Sequence, residues 1–408
     1  MSKEKLIPEL RFPDFKNEGK WDKPTLSSVS DVIMGSSPSS LSYNENKIGL
    51  PLLQGNADIK NRLSAPRFYT TEITKECEIG DILLSVRAPV GTVAKSLHNA
   101  CIGRGISSLR AKKPNSQEYI YQWLFSYESS WAKISQGGTF DAVNSDDIRN
   151  LIIPIPKEKE QQKIASCLSS LDEVIAAHSQ KLYLLKDHKK GLMQNLFPQE
   201  GEKVPKYRFK EFENDGEWMK KSLEYLTVKI GDGIHTTPKY DPSGEYYFIN
   251  GNNLIEGKIV VDEKTKRVSS EEFEIHKKHL TKKTIFLSIN GTIGNLAFYN
   301  NEMVVLGKSA CYITPSQKLN NVFLYYSLQS PRIIDYFFSE LTGSTIKNLS
   351  LKSIRETLIN LPSEREQQKI ATCLSSLDSI ITAQAEKIEQ LKLHKKGLMQ
   401  GLFPKIND

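Results

Sequence analysis

The chain has 408 residues, 38% hydrophobic and 25% charged, with a net charge of +7 and a mean hydropathy of -0.42. That is enough for two or three domains with a substantial core, and no apolar run approaches the roughly 18 residues that would cross a bilayer. The mildly basic balance permits a polyanionic partner without requiring one, and five cysteines without a Cys-x-x-Cys pair argue against a disulfide framework or a zinc site and fit a reducing compartment.

In chain order, the opening Met1-Ser2-Lys3-Glu4-Lys5 lacks the apolar core of a signal peptide, so a cytoplasmic location is expected. Pro8-Glu9-Leu10-Arg11-Phe12 through Gly19 and Trp21 returns as Pro205-Lys206-Tyr207-Arg208-Phe209 through Gly216 and Trp218, at an offset of 197. A longer repeat covers 160–198 and 366–404, where 27 of 39 positions match at an offset of 206. The chain therefore divides into a head over 1–155, a long helix over 156–199, a second head over 200–361 and a second helix over 362–408.

The heads are mixed α and β. Short β-rich runs stand at 81–86 and 284–289, set off by Gly, Pro and Asn turns. Aromatic helical stretches follow at 119–125 and 322–328, and their spacing reads as core rather than as a base-stacking platform. Between the repeat anchors the halves agree only in outline. Gly35-Ser36-Ser37-Pro38 faces Gly231 through Pro238, Gln54-Gly55-Asn56 faces Asn250-Gly251-Asn252, and Gly91 and Gly137 face Gly294 and Gly343. Duplication followed by divergence of a working surface leaves such a pattern.

The polar loops hold the candidates for contact with DNA: Ser36, Ser37, Gln54, Asn56, Arg87 and Arg104 in the first head. The second head offers His235, Thr236, Thr237, Lys239, Asn250, Asn252, Asn253, Asn290 and Lys308. Arg, Asn and Gln can each present two hydrogen bonds to a base edge, while Lys, Ser and Thr mostly grip phosphate. Taken singly, each also fits an ordinary turn or surface residue.

In the first helix, apolar residues recur in steps of four and three at Ile164, Leu168, Leu171, Ile175, Leu182 and Leu185, continuing to Leu192 and Leu196. In the second they fall at Ile370, Leu374, Leu377, Ile381, Ile388 and Leu391, continuing to Leu398 and Leu402. A mean step of 3.5 over four to five heptads predicts a coiled coil. His178 with Gln384, and Lys189 with Lys395, interrupt the seam at matching places; an antiparallel pairing would bring His178 near Gln384. Lys189, Lys190, Lys395 and Lys396 fit phosphate gripping, partner docking or plain solvation. Gly191 and Gly397 predict a bent or frayed last turn, and Phe197-Pro198 and Phe403-Pro404 end the helices. From Ile164 to Leu196 such a helix spans about 50 Å, longer than the roughly 34–36 Å of one DNA turn. Two heads held apart by such a rod could address two short sites about a turn apart.

The motifs of catalysis are missing or incomplete. Asp14, Glu18 and Lys20 are spaced too closely for a nuclease site, and the repeat does not keep the lysine. Gly307-Lys308-Ser309 lacks the upstream glycine of a P-loop. His276 and His279 have the spacing of two metal ligands but no third in view, which favours an exposed basic face. No Asn-Pro-Pro-aromatic run or Gly-rich cofactor loop is present.

With these residues in view, the chain resembles the specificity subunits of type I restriction-modification systems. The resemblance rests on the paired Glu-Gln-Gln-Lys-Ile-Ala openings at 160 and 366 and the Lys-Lys-Gly-Leu-Met-Gln-x-Leu-Phe-Pro closings at 189 and 395. The Arg-Phe-x-x-Phe to Gly-x-Trp segments starting at 11 and 208 add to it. It implies an α+β fold of two target-recognition domains, each followed by a long helix, the helices pairing as an antiparallel intramolecular coiled coil with pseudo-two-fold symmetry. It implies double-stranded DNA as ligand, two methyltransferase subunits docked on the helices, and restriction-translocase subunits through them. S-adenosylmethionine is expected on the methyltransferase, with no cofactor, metal, catalysis or membrane contact in this chain. A different class of reading, a coiled-coil scaffold with two protein-binding heads, leaves the divergence of the heads without a purpose.

Overall fold

The computed structural model describes residues 6–131, 142–343 and 347–405; the Met1–Lys5 stretch and Gly137 lie outside them. The chain forms two compact units, Met1–Gln180 with Ala385–Asp408, and Lys181–Gln384. Both are α+β, and both long helices are divided between them.

In the first unit, β1 (Ser30–Met34), β2 (Leu50–Leu53), β3 (Ile82–Ser85), β4 (Val93–Lys95), β5 (Ala100–Ile102) and β6 (Ile106–Ala111) make two sheets. The main sheet runs antiparallel in the order β1-β6-β3-β4, with two short strands added beyond β4. In the other, β2 lies parallel to β5, Leu53 opposite Ile102. All four residues of β3 are buried, which is why its sequence is a continuous apolar run rather than an alternating one. Helix α1 (Gln117–Tyr127) starts at Ser116, whose side chain accepts from the Tyr119 amide. Tyr119, Ile120, Trp123 and Leu124 are buried in the core, as their spacing predicted.

Helix α2 runs from Glu158 to Asn195. Its Glu-Gln opening ties it to the first head. Glu160 takes a bidentate ion pair from Arg11 at 2.7 Å through both oxygens. Gln161 accepts from the Ser116 amide at 2.9 Å and donates to the Pro156 carbonyl at 2.9 Å, fixing the start of α1.

The second unit repeats the plan with β7 (Thr227–Asp232), β8 (Tyr246–Ile249), β9 (Ile285–Ser288), β10 (Leu296–Phe298), β11 (Val304–Leu306) and β12 (Ala310–Pro315). The sheet order is β7-β12-β9-β10, antiparallel, with β8 parallel to β11 and Ile249 opposite Leu306. Helix α3 (Asn321–Leu328) is capped by Asn320, and α4 (Pro331–Ser339) follows it. Helix α5 spans Glu364–Leu402. Arg208 pairs with Glu366 at 2.8 and 2.9 Å, and Gln367 accepts from the Asn320 amide at 2.9 Å.

Within each unit the start of one long helix lies antiparallel to the end of the other. In the first, Ile164 and Leu168 share a core with Met399, Leu402 and Phe403, and Lys395 donates to both oxygens of Asp172 at 2.6 and 2.7 Å. In the second, Ile370, Ala371 and Leu374 share a core with Met193, Leu196 and Phe197, and Lys189 meets Asp378 at 2.6 Å. Along α2, Ile164 and Leu168 are buried, and Leu171, Ile175, His178, Leu182 and Leu185 are half-buried. Along α5, Leu374, Leu377, Gln384, Ile370 and Ile388 are buried, with Ile381 and Leu391 half-buried. His178 and Gln384 fall in different units.

Two local readings change. Lys395 is only 4% exposed, lies 4.6 Å from the Phe125 ring and is matched by Asp172, so it grips no phosphate. Lys189 is likewise occupied, with Asp378 and 5.4 Å from the Tyr326 ring. Gly191 and Gly397 remain helical, and α2 and α5 run on to Asn195 and Leu402. Burial of the apolar residues just past each glycine outweighs its roughly 1 kcal/mol propensity cost.

Candidate nucleic-acid interface

In each head the loops leaving the β-strands meet at one place, held by the same backbone hydrogen bonds. In the first head Gly35 N donates to Ile106 O, Ser36 N to Ile102 O, Gly103 N to Leu53 O and Val86 N to Gly105 O, all between 2.8 and 3.0 Å. In the second head Gly233 N donates to Ala310 O, Ile234 N to Leu306 O, Gly307 N to Ile249 O and Ile289 N to Ser309 O, between 2.8 and 3.1 Å. These bonds set the correspondence of positions. Gly35, the residue after β1, matches Gly233, the residue after β7, within the Gly231–Pro238 stretch that the sequence set against it.

An amide side chain sits on the same seat in both heads. Gln54 Oε1 accepts from Ser37 Oγ at 2.9 Å, and its Nε2 donates to the Tyr43 hydroxyl. Asn250 Oδ1 accepts from Ser309 Oγ at 2.9 Å. The seat requires glycine beneath it. A Cβ on Gly103 would lie 2.1 Å from Gln54 Oε1, and one on Gly307 would lie 2.2 Å from Asn250 Oδ1.

On this shared frame the outward side chains differ. Arg87 corresponds to Asn290, Arg104 to Lys308, Gln54 to Asn250, and Ser37 to His235. In the first head Ser37, Tyr43, Gln54, Arg87 and Arg104 line an open cleft of about 370 Å³ with no carboxylate on its walls. The nearby Asp58 carboxylate is bound by Arg67 at 2.8 Å and by the Gln54 backbone N–H. Two cationic groups on walls without acid suit a polyanion.

Four of the six first-head candidates, Ser37, Gln54, Arg87 and Arg104, thus come together in the cleft. Ser36 is exposed in the adjoining loop, and Asn56 is half-buried in the turn after Gln54. In the second head Asn290 Nδ2 donates to Lys308 O at 3.4 Å, placing these two side by side. His235 lies 2.8 Å from Asp232, and Thr236, Thr237, Lys239 and Asn252 are exposed. Asn253 is different. It is buried, accepts from the Asn250 backbone N–H and donates to Val260 O, so its side chain shapes the loop. Sequence reasoning missed Tyr43 and Ser309. Ser309 has only Gly105 at its place in the other head. Tyr43 and Tyr240 hold the same pairing place, opposite Thr70 and Val268, and only the fold brings Tyr43 to Gln54.

His276 sits beside Glu272 at 3.5 Å. Among the described residues no group of three or more His, Cys, Asp or Glu is placed to hold a metal ion.

Comparison with known proteins agrees with this arrangement. The family described as the type I restriction modification DNA specificity domain matches residues 18–187 and again 215–393. The MjaIX specificity subunit of a type I restriction enzyme, from Methanocaldococcus jannaschii, is 24% identical over 95% of this chain and 92% of its own. The MjaX specificity subunit of the same organism is 35% identical over 40% of this chain, a match that spans only 39% of that protein. In fold, the crystal structure of the type I restriction-modification S subunit from M. genitalium aligns with a TM-score of 0.62, covering 98% of this chain and 100% of that one at 17% identity.

Proposed function

This chain belongs to the type I restriction-modification DNA specificity family, and from that we propose that its two heads read the two halves of a split DNA target. It is a recognition subunit, and the chemistry belongs to its partners. The long helices carry the heads and dock two methyltransferase subunits, with restriction-translocase subunits attached through them. S-adenosylmethionine binds the methyltransferase, not this chain.

One observation supports this division most directly. The two heads share a hydrogen-bond frame, yet at its rim Arg87, Arg104, Gln54 and Ser37 are replaced by Asn290, Lys308, Asn250 and His235. A reader of a two-part target needs a constant mount and different contacts. The remaining loop residues, the exposed Ser36, Thr236, Thr237, Lys239 and Asn252 and the half-buried Asn56, are assigned to phosphate or base edges beside them.

Replacing residues 22–150 with the matching segment of a relative, in cells carrying the partner methyltransferase, tests the reading. Mapping of methylated DNA is expected to show one half of the site changed and the other kept. Change in both halves, or in neither, overturns it.

A further inference from the structure

We propose that the half-site read by the first head contains guanine, recognised through O6 and N7 by the guanidinium forks of Arg87 and Arg104. The proposal rests on the reading of the heads given above. The first unit contains seven arginines. Five of them are committed within the fold: Arg11 to Glu160, Arg62 to Glu128, Arg67 to Asp58, Arg110 to Asp81, and Arg149 to the Val32 carbonyl. Of the described arginines in the first unit, only Arg87 and Arg104 have side chains donating to no protein acceptor, and both are exposed on the walls of one cleft.

Their mounts are fixed although their side chains are free. Val86 N donates to Gly105 O, which ties the Arg87 loop to the Arg104 turn at 3.0 Å. Arg104 N donates to Ser37 Oγ at 3.1 Å, and Ser37 is held in turn by Gln54. On the other side Ser85 Oγ bonds the Pro89 carbonyl at 2.7 Å, closing the loop that carries Arg87. A planar fork on a backbone fixed at several points can match the two acceptors of guanine, which a flexible charge cannot specify. In the second head the same two positions are Asn290 and Lys308, neither of which offers that fork. The two halves of the target therefore differ in how guanine is read.

The test uses the assembled complex with its methyltransferase. The methylated site is mapped, the 22–150 exchange shows which half the first head reads, and the guanines of that half are replaced by 7-deazaguanine, which removes N7 but keeps base pairing. Wild-type complex should bind or methylate the substituted duplex about ten-fold or more weakly. Arg87→Lys and Arg104→Lys keep the charge and lose the fork. They should lose about the same factor on the unmodified site, and the substituted duplex should cost the double variant nothing further. A first-head half without guanine overturns the proposal, as does undiminished binding of the 7-deazaguanine duplex. So do lysine variants that weaken all sequences equally or none, since such arginines would grip phosphate. If the exchange moves both halves or neither, the two-reader reading falls first and the guanine proposal with it.

Discussion

Asp81 shows how single residues distinguish two heads built on one frame. It is 2% exposed and accepts from Arg110 at 2.7 and 2.9 Å, from Ser108 at 2.8 Å and from the Glu78 amide at 2.8 Å. Burial pushes its carboxyl up, but these hydrogen bonds and the Arg110 charge together hold it below its ordinary value of 3.8. A carboxylate with a depressed folded-state value contributes stability above the ordinary value and loses it as pH falls through the lowered one. The same two positions in the second head are Thr284 and Thr314, joined by a neutral bond of 2.9 Å. Acid below about pH 4 should therefore loosen the first head before the second, and Asp81→Asn should remove that difference while costing about 2 kcal/mol at neutral pH. Hydrogen exchange resolved by segment between pH 7 and pH 3 reads both effects; equal acid loosening of the two heads would contradict them. The sequence marked Arg87 and Arg104 because each sits in a Gly- or Pro-bearing turn. It could not mark Asp81 with Arg110, whose partners are set by strand pairing across 29 residues.

At the scale of elements, the long helices were the most legible part of the chain. A 3.5-residue apolar period survives in sequence because every seam position must face the partner helix, and those positions are the buried and half-buried ones. The polar interruption at Lys395 was visible, but its role was not, because Asp172 stands 223 residues away. Burial lowers the Lys395 ammonium below its ordinary value, and the hydrogen bonds it donates to Asp172 oppose that. Lys395→Ala leaves Asp172 with its Gln122 contact alone among those described. A fully buried broken pair costs about 3–5 kcal/mol, but the Asp172 side chain is 42% exposed. The expected loss is accordingly about 1–2 kcal/mol, read by chemical denaturation. A double-mutant cycle with Asp172→Ala should show coupling, and strict additivity would mean that the pair does not hold the register.

For the whole molecule, the compact units are not head plus following helix. The first head is completed by the end of α5, where Met399, Leu402 and Phe403 enter its core and Phe403 meets Tyr119 edge-on at 5.6 Å. Leu10 N also donates to Gly401 O at 2.8 Å, joining the start of the chain to its last helix. Removing residues 385–408 takes away three large buried side chains worth about 5–9 kcal/mol together, comparable with the stability of an entire domain. Proteolysis should then cut the first head, more than 200 residues from the deletion, well before the second. A first head as resistant as in the full chain would refute the grouping.

By itself the sequence determined the doubled plan, the α+β heads, the helical seam and the family resemblance, because repeats and periodicity are local patterns along the chain. It also singled out the loops that carry the candidate contacts. Tertiary structure alone decided which residues in those loops converge, since the seat of Gln54 over Gly103 and the pairing of Gly35 with Gly233 depend on strands brought side by side. It decided too that Lys189 and Lys395 lie in ion pairs rather than on DNA, and that each head shares its core with the far end of the other long helix. Those outcomes come from contacts between residues distant in sequence, which no periodicity along the chain records.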